Sequence, residues 1–194
     1  IDAAADSGKV AHSNQLDFFP TSDALADRVA ARLNATPAHR ILEPSAGEGA
    51  LVAAVLRGMP RPPLALVLIE KDPGRVAVLR EQFQASLFCD DFLGVSETGF
   101  YPFDKIAMNP PFHRGADDLH VMHALNFLAP GGRLVAIASS MLARRPTKPS
   151  KDLGDRLDAW GGWTIEPLPE GSFKAAGTNV ATVMLTVDRP KGDA

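Results

Sequence analysis

Residues 39–57, with the sequence HRILEPSAGEGALVAAVLR, decide the fold. A short apolar run ends at a Glu-Pro pair, two glycines follow within a few residues, and an apolar stretch of helical length begins at Ala50. Glycines between a strand and a helix let the backbone turn sharply and let a ligand approach the main-chain N–H groups. The stretch therefore predicts a strand, a turn that faces a ligand, and a helix.

The same alternation continues on both sides of this stretch. Further strands are predicted at 64–69, 87–89, 104–108 and 133–138, and helices near 22–34, 73–83, 116–128 and 151–160. Two closing strands, about 163–167 and 179–187, have no helix between them and predict an antiparallel hairpin. Strands that alternate with helices form parallel sheets with right-handed crossovers. We therefore expect an α/β fold with a mostly parallel seven-stranded sheet, helices on both faces and a C-terminal antiparallel hairpin.

Composition places the chain among ordinary globular proteins. Its 194 residues predict one domain, over 16–190, after a leader at 1–15 that has no periodicity and is expected to be flexible. The net charge of −3 excludes a histone-like basic protein but not a nucleic-acid partner. Cys89 is the one cysteine, which excludes an internal disulfide and fits a reducing, cytoplasmic setting. No apolar run reaches the ~20 residues that span a bilayer, so no membrane partner is expected.

Acidic side chains mark the predicted strand ends, where open α/β sheets bind their ligands. Glu43 ends the first strand, and Glu70 ends the second, where it is placed to accept both hydroxyls of a ribose. Asp91 is placed to accept from an adenine amine while Phe92 packs on the purine. Taken alone, Glu70 is explained equally well as a surface acid at a strand end, and a polar turn with one core aromatic is the more ordinary explanation of Asp91 and Phe92. A dinucleotide site is disfavoured because Val52 stands where the third glycine of that fingerprint belongs.

The stretch DKIAMNPPF, residues 104–112, is the most specific feature. The two prolines fix the backbone and leave carbonyl groups without local N–H partners. The Asn109 side-chain oxygen and the Pro110 carbonyl can then accept from one amino group, with Pro111 holding the turn. Phe112 offers a flat apolar surface to a planar substrate.

These residues resemble the Asn-Pro-Pro-Phe motif of class I S-adenosylmethionine-dependent methyltransferases that act on amino groups. The Phe18-Phe19-Pro20-Thr21 segment resembles the N-terminal motif of N6-adenine methyltransferases, and its order before the glycine loop resembles the gamma-type DNA enzymes. The segments 103–137 and 169–178 resemble methyltransferases common on phages and plasmids. The resemblance implies a Rossmann-like fold over residues 16–187, no metal, and S-adenosylmethionine as cofactor. It implies cofactor contacts at Phe19, Pro20, Thr21, Glu43, Pro44, Ser45, Gly47, Gly49, Glu70, Asp91, Phe92 and Asn109.

The resemblance implies methyl transfer to an exocyclic amine, above all N6 of adenine in DNA, with Asn109, Pro110, Pro111 and Phe112 as the catalytic motif. The open alternatives are an RNA adenine or guanine amine, a protein glutamine amide, and a non-catalytic subunit that binds a partner. Expected acceptor contacts are Phe112, Phe173, Arg144, Arg145 and Lys148, the last three as phosphate ligands. The open alternatives are a solvated loop for the basic residues and packing of the terminal hairpin for Phe173.

One departure from the gamma-type pattern concerns target recognition. Those enzymes usually carry a separate target-recognition domain, and the predicted elements use the whole chain. We therefore expect a partner subunit or a missing domain to supply sequence recognition. His120 and His123 lie three residues apart on a predicted helix, but no third strong ligand accompanies them, so surface or packing roles are favoured over metal binding.

Overall fold

The computed structural model describes residues 20–169 and 181–192. The helices in these ranges are α1 (Asp23–Leu33), α2 (Ala50–Arg57), α3 (Pro73–Gln82), α4 (Ala116–Phe127) and α5 (Lys148–Trp160). The strands are β1 (Arg40–Glu43), β2 (Ala65–Glu70), β3 (Ser86–Cys89), β4 (Phe103–Met108), β5 (Leu128–Ser139), β6 (Trp163–Pro167) and β7 (Thr182–Asp188). None of these helices has the length and apolarity needed to cross a bilayer.

The seven strands form one sheet in the order β3-β2-β1-β4-β5-β7-β6. The first five strands in this order are parallel, and β7 is antiparallel to both of its neighbours. The predicted terminal hairpin is confirmed, with β7 inserted between β5 and β6. From β1 to β3 each strand is added towards one edge of the sheet, and β4 is then added on the other side of β1. The order of strands therefore reverses between β1 and β4. That reversal opens a crevice at the carboxyl ends of these strands, where ligands of such sheets bind.

Helices cover both faces of the sheet, as the alternating pattern predicts. On one face, α1, α2 and α3 contribute apolar side chains such as Leu25, Leu51 and Leu79. On the other face, α4 and α5 contribute a second core cluster that includes Leu125 and Leu157. Successive residues of β5 alternate between the two clusters, as the two-residue period of a strand requires.

The segment Pro130-Gly131-Gly132, whose residue types favour a helix stop and a turn, is part of a strand instead. Here α4 ends at Phe127 and β5 begins at Leu128, five residues before the predicted strand. The Gly131 and Arg189 N–H groups donate to the Arg189 and Gly132 carbonyls, at 3.0 and 2.9 Å, so the segment pairs with the chain that follows β7. A register shift between Phe103 and Lys105 accommodates the irregular stretch. This long-range pairing overrides the local turn preference.

Helix α5 begins at Lys148 rather than at the predicted residue 151. The Thr147 hydroxyl accepts from the Ser150 N–H, and the Ser150 hydroxyl accepts from the Thr147 N–H. This reciprocal capping, together with Pro149 in the first turn, satisfies the start of the helix three residues early.

Candidate active site

The carboxyl ends of β1, β2, β3 and β4 surround one cavity of about 280 Å³, the size of a small-molecule pocket. The sequence-predicted residues therefore meet at one place, although they come from distant parts of the chain. Those that line the cavity are Pro20, Thr21, Glu43, Pro44, Ser45, Gly47, Glu70, Asp91, Phe92, Asn109, Pro110 and Pro111. Phe19 and Phe173 lie outside the described residues.

Glu43 places a buried carboxyl at the base of the cavity. Its side chain is 3% exposed, and Oε2 has no hydrogen-bond partner among the described residues. Burial, and then the nearby charge of Glu70, raise the pKa of Glu43 well above its ordinary value, while a hydrogen bond from the Val52 backbone opposes them. An unpartnered carboxyl oxygen at this point fits a ligand that brings a positive charge or an N–H donor.

Glu70 organises the glycine loop. Its Oε2 accepts from the Gly47 N–H at 2.8 Å, and its Oε1 accepts from the Asp72 N–H at 2.9 Å. Gly47 adopts a left-handed φ of 55°, which suits a residue without a Cβ. The carboxylate thus holds the loop at the end of β1 against the end of β2. It also lines the cavity, where its remaining lone pairs are available to hydroxyl groups.

Packing requires a glycine at position 49. It has a left-handed φ of 85°, and a Cβ there would lie 2.9 Å from Leu79 Cδ2 and would collide with the Phe83 ring. Its place is the start of α2, outside the cavity wall that the described residues form. The cofactor contact expected of Gly49 stays a prediction.

Asp91 and Phe92 form the wall at the end of β3. The Asp91 carboxylate accepts from the Leu93 N–H at 3.0 Å and remains exposed. The Phe92 ring is 2% exposed and packs against His123 and Phe127, at centroid distances of 4.7 and 5.3 Å. The ring therefore anchors this loop to α4, so the residue contributes an edge of the cavity rather than an open stacking face.

The motif that follows β4 faces the segment before α1. Asn109 Nδ2 donates to Thr21 Oγ1 at 2.9 Å, and both residues line the cavity. Either Thr21 or Ser22 could cap α1 through its hydroxyl. Ser22 occupies the cap position without a side-chain hydrogen bond, while the Thr21 hydroxyl accepts from Asn109.

Phe112 is placed differently from the expected open stacking surface. Its side chain is 7% exposed and belongs to the core cluster on the α1 face. The cavity wall formed by the described residues includes Pro111 and His113 but not Phe112. Its role towards a planar substrate stays a prediction.

The expected phosphate contacts lie between β5 and the first turn of α5. Arg145 pairs with Asp158 at 2.8 Å and lies over the Trp163 ring, so it has partners within the chain. Lys148 pairs with Asp152 at 3.0 Å on the surface of α5, and Arg144 is exposed. Contact with nucleic acid stays a prediction for all three.

Sequence reasoning missed the contribution of α4 to the cavity. Ala116 and His120 lie one turn apart on that helix, and both line the cavity. The four-residue spacing was a usable signal, because it places both side chains on one helix face directly after the Asn-Pro-Pro-Phe motif. Among the described residues, no group of three or more His, Cys, Asp or Glu side chains is placed to hold a metal ion.

Several solved structures share this fold. The methyltransferase subunit of a type I restriction-modification system from Streptococcus thermophilus superposes with a TM-score of 0.76 at 15% identity, over 90% of this chain and 46% of that one. A protein from Listeria monocytogenes, assigned to the class I S-adenosylmethionine-dependent methyltransferases, gives 0.72 at 17% identity, over 94% and 64%. The 23S rRNA methyltransferase ErmE gives 0.66 at 20% identity, over 92% and 73%. The chain thus spans between about half and two thirds of the first two.

Sequence comparison identifies the family. No curated protein matches the chain. The model of the family described as Methyltransferase small domain matches residues 14–155, nearly three quarters of the chain. The solved structures agree with that match in fold. The chain belongs to the Methyltransferase small domain family and has the Rossmann-like fold of class I S-adenosylmethionine-dependent methyltransferases.

Proposed function

We propose that the chain transfers a methyl group from S-adenosylmethionine to an exocyclic amino group, N6 of adenine in DNA. The observation that carries the proposal is the position of Asn109. It lies at the carboxyl end of β4, lines the cavity, and has its amide held by the Thr21 hydroxyl. An oriented amide followed by two prolines is suited to accept hydrogens from an amine.

The cavity fits the proposed methyl donor in charge and in chemistry. The Glu43 carboxyl, with its unpartnered Oε2, suits the ammonium group of the methionine part. We assign Glu70 to the ribose hydroxyls and Asp91 to the base, and both residues line the cavity together with Gly47. Pro20 and Thr21 also line the cavity, and Thr21 is bonded to Asn109 there.

The bound donor supplies an electrophilic methyl group on a sulfonium, which needs no metal and no covalent enzyme intermediate. The residues of this chain act on the acceptor. Asn109 Oδ1 and the Pro110 carbonyl each accept one hydrogen of the amine, which favours a pyramidal nitrogen with an available lone pair. A donor held by Glu43, Glu70 and Asp91 would supply its methyl group to that lone pair and would leave as the neutral thioether, and the methylated nitrogen would release its proton to solvent. Holding the amine in line with the carbon–sulfur bond lowers the activation barrier, because the reacting atoms are already oriented.

DNA is preferred as acceptor because the Phe-Pro-Thr segment and Phe112 together resemble the adenine enzymes. Solved structures of this fold act on different polymers: the Streptococcus subunit belongs to a restriction-modification system, and ErmE is an rRNA methyltransferase. A base in a duplex would have to leave the helix before it reaches Asn109, at a cost of a few kcal/mol.

Transfer of a tritiated methyl group tests the proposal directly. The wild-type chain and Asn109→Ala are incubated with labelled donor and duplex DNA, single-stranded DNA, RNA or protein, and the labelled product is identified. We expect N6-methyladenine from DNA with the wild-type chain and background label with the variant. Label in RNA or in glutamine would transfer the assignment to that acceptor. Absence of label from every polymer would contradict the proposal that the chain is a methyl-transferring enzyme.

A further inference from the structure

His120 is a polar side chain in the cavity wall that the proposed reaction has not used. It lies on α4, one turn after Ala116, and lines the cavity with Asp91 and Phe92. Its side chain is 8% exposed, and its ring centroid lies 6.0 Å from that of Phe92. The Nδ1 atom is buried and has no hydrogen-bond partner among the described residues.

Packing alone does not account for an imidazole at this position. An apolar side chain would fill the same space and would avoid burying an unpartnered nitrogen. The neighbouring His123 provides the contrast, because its Nε2 bonds to the Val95 carbonyl at 2.8 Å and its ring packs on Phe92 at 4.7 Å. His123 is thus satisfied within the fold, whereas His120 lines the cavity and leaves Nδ1 without a partner among the described residues.

The charge state of His120 limits what it can bind. Burial lowers the pKa of His120 to about 4, and the Asp91 carboxylate opposes that shift. Near neutral pH the ring is therefore uncharged and offers one N–H donor and one lone pair. A neutral donor and acceptor beside an apolar ring suits a planar heteroaromatic group better than a phosphate or a carboxylate.

We propose that His120 is a specificity-determining contact for the nucleobase of the methyl donor, on the wall where Asp91 and Phe92 meet α4. This inference rests on the proposed function, since it assigns part of the same cavity. Asp91 supplies an acceptor to the exocyclic amine of the base, and His120 supplies the neutral ring that meets the base from the helix side. The base is then selected by two elements, the end of β3 and the first turns of α4.

Calorimetric titration separates this inference from the proposed function. S-adenosylhomocysteine is first titrated into the wild-type chain, and failure to bind would refute the proposed function itself. The same ligand and its inosine analogue, which carries a 6-oxo group in place of the amine, are then titrated into His120→Phe, His120→Asn and the matched control His123→Phe. Melting without ligand verifies that each variant is folded.

We expect His120→Phe to bind S-adenosylhomocysteine about fivefold to tenfold more weakly, the range of one lost hydrogen bond. Its preference for the adenine ligand over the inosine ligand falls as well, and His120→Asn recovers part of both. His123→Phe melts at a lower temperature but keeps the wild-type affinity and preference. Unchanged affinity and preference in both His120 variants would overturn the inference. A raised KM for the polymer acceptor, with donor binding intact, would overturn it too by placing His120 on the acceptor.

Discussion

The Asn109 side chain donates from Nδ2 to Thr21 Oγ1 at 2.9 Å and so joins the end of β4 to the residue before the cap of α1. An amide has a donor end and an acceptor end, so a partner for the nitrogen fixes the direction of the oxygen. The Thr21 hydroxyl therefore acts on the proposed chemistry through Asn109. This pairing suggests that Thr21 positions the amide, in addition to the cofactor contact expected from sequence.

Asn109→Ala should abolish methyl transfer while donor binding stays close to that of the wild-type chain. Losing an acceptor in a water-excluded site typically costs ~3 kcal/mol of transition-state stabilisation, or roughly a hundredfold or more in rate. Most donor contacts are assigned to the ends of β1, β2 and β3, which the substitution leaves intact. Single-turnover rates and calorimetry with S-adenosylhomocysteine measure the two effects. Wild-type turnover by a folded Asn109→Ala would remove Asn109 from the mechanism.

Thr21→Val should lower the rate of transfer by about twofold to tenfold, because one positioning hydrogen bond is lost while the size of the side chain is kept. Ser22→Ala is the matched control, since the neighbouring Ser22 caps α1 without a side-chain hydrogen bond. The loss should appear in kcat more than in the KM for the acceptor. Equal rates in the two variants would show that Asn109 does not depend on Thr21.

Local pattern predicted the order of elements well, because most strands are short apolar runs that stop at polar, proline or glycine residues. The prediction failed where distant segments decide the outcome. Pro130 and the glycines after it read as a turn, yet they pair with the chain after β7. Phe112 was expected to offer a flat surface to a planar substrate, yet its ring packs into the core on the α1 side, and its stacking role stays a prediction. A sequence motif predicts which residues belong to a site. Which of their atoms face the cavity depends on tertiary contacts that the motif does not contain.

Glu43→Gln should stabilise the fold and weaken donor binding. The pKa of Glu43 is raised above its unfolded value, so the folded chain holds this proton to a higher pH. Stability therefore falls as pH rises through the unfolded pKa and beyond, until the folded group ionises too. A glutamine removes that dependence.

The measurement compares melting temperatures of Glu43→Gln and the wild-type chain at pH 5 and pH 8, with the exposed Glu48→Gln as control. We expect the melting temperature of Glu43→Gln to exceed that of the wild-type chain by more at pH 8 than at pH 5. Each kcal/mol of added stability corresponds to about 2–4 °C. Its affinity for S-adenosylhomocysteine should fall, because the ammonium group loses its carboxylate. A variant that melts lower at pH 8 and binds normally would contradict the assignment.

Gly49→Ala should destabilise the chain through packing rather than through the ligand. The added Cβ would meet Phe83 and Leu79, and the left-handed φ of 85° adds backbone strain. Overpacking of this kind costs about 1–3 kcal/mol. Gly58→Ala at the other end of α2 is the control, since its Cβ would meet nothing within 4 Å. Urea unfolding measures the difference, and equal stability of the two variants would contradict the packing role.

The three basic side chains beside α5 should separate into one structural residue and two surface residues. Arg145 pairs with Asp158 and packs so closely on Gly154 that a Cβ on that glycine would collide with it. We therefore expect Arg145→Ala to lower the melting temperature with little change in the salt dependence of DNA binding.

Arg144→Ala should reduce the slope of log affinity against log salt by about one, as expected for one lost phosphate contact. Lys148→Ala should act in the same way but less strongly, because Asp152 holds its ammonium at 3.0 Å. Fluorescence anisotropy with duplex DNA at several salt concentrations measures these slopes. A reduced slope for Arg145→Ala alone would assign the phosphate contact to Arg145 and would mean that its ion pair with α5 opens on binding.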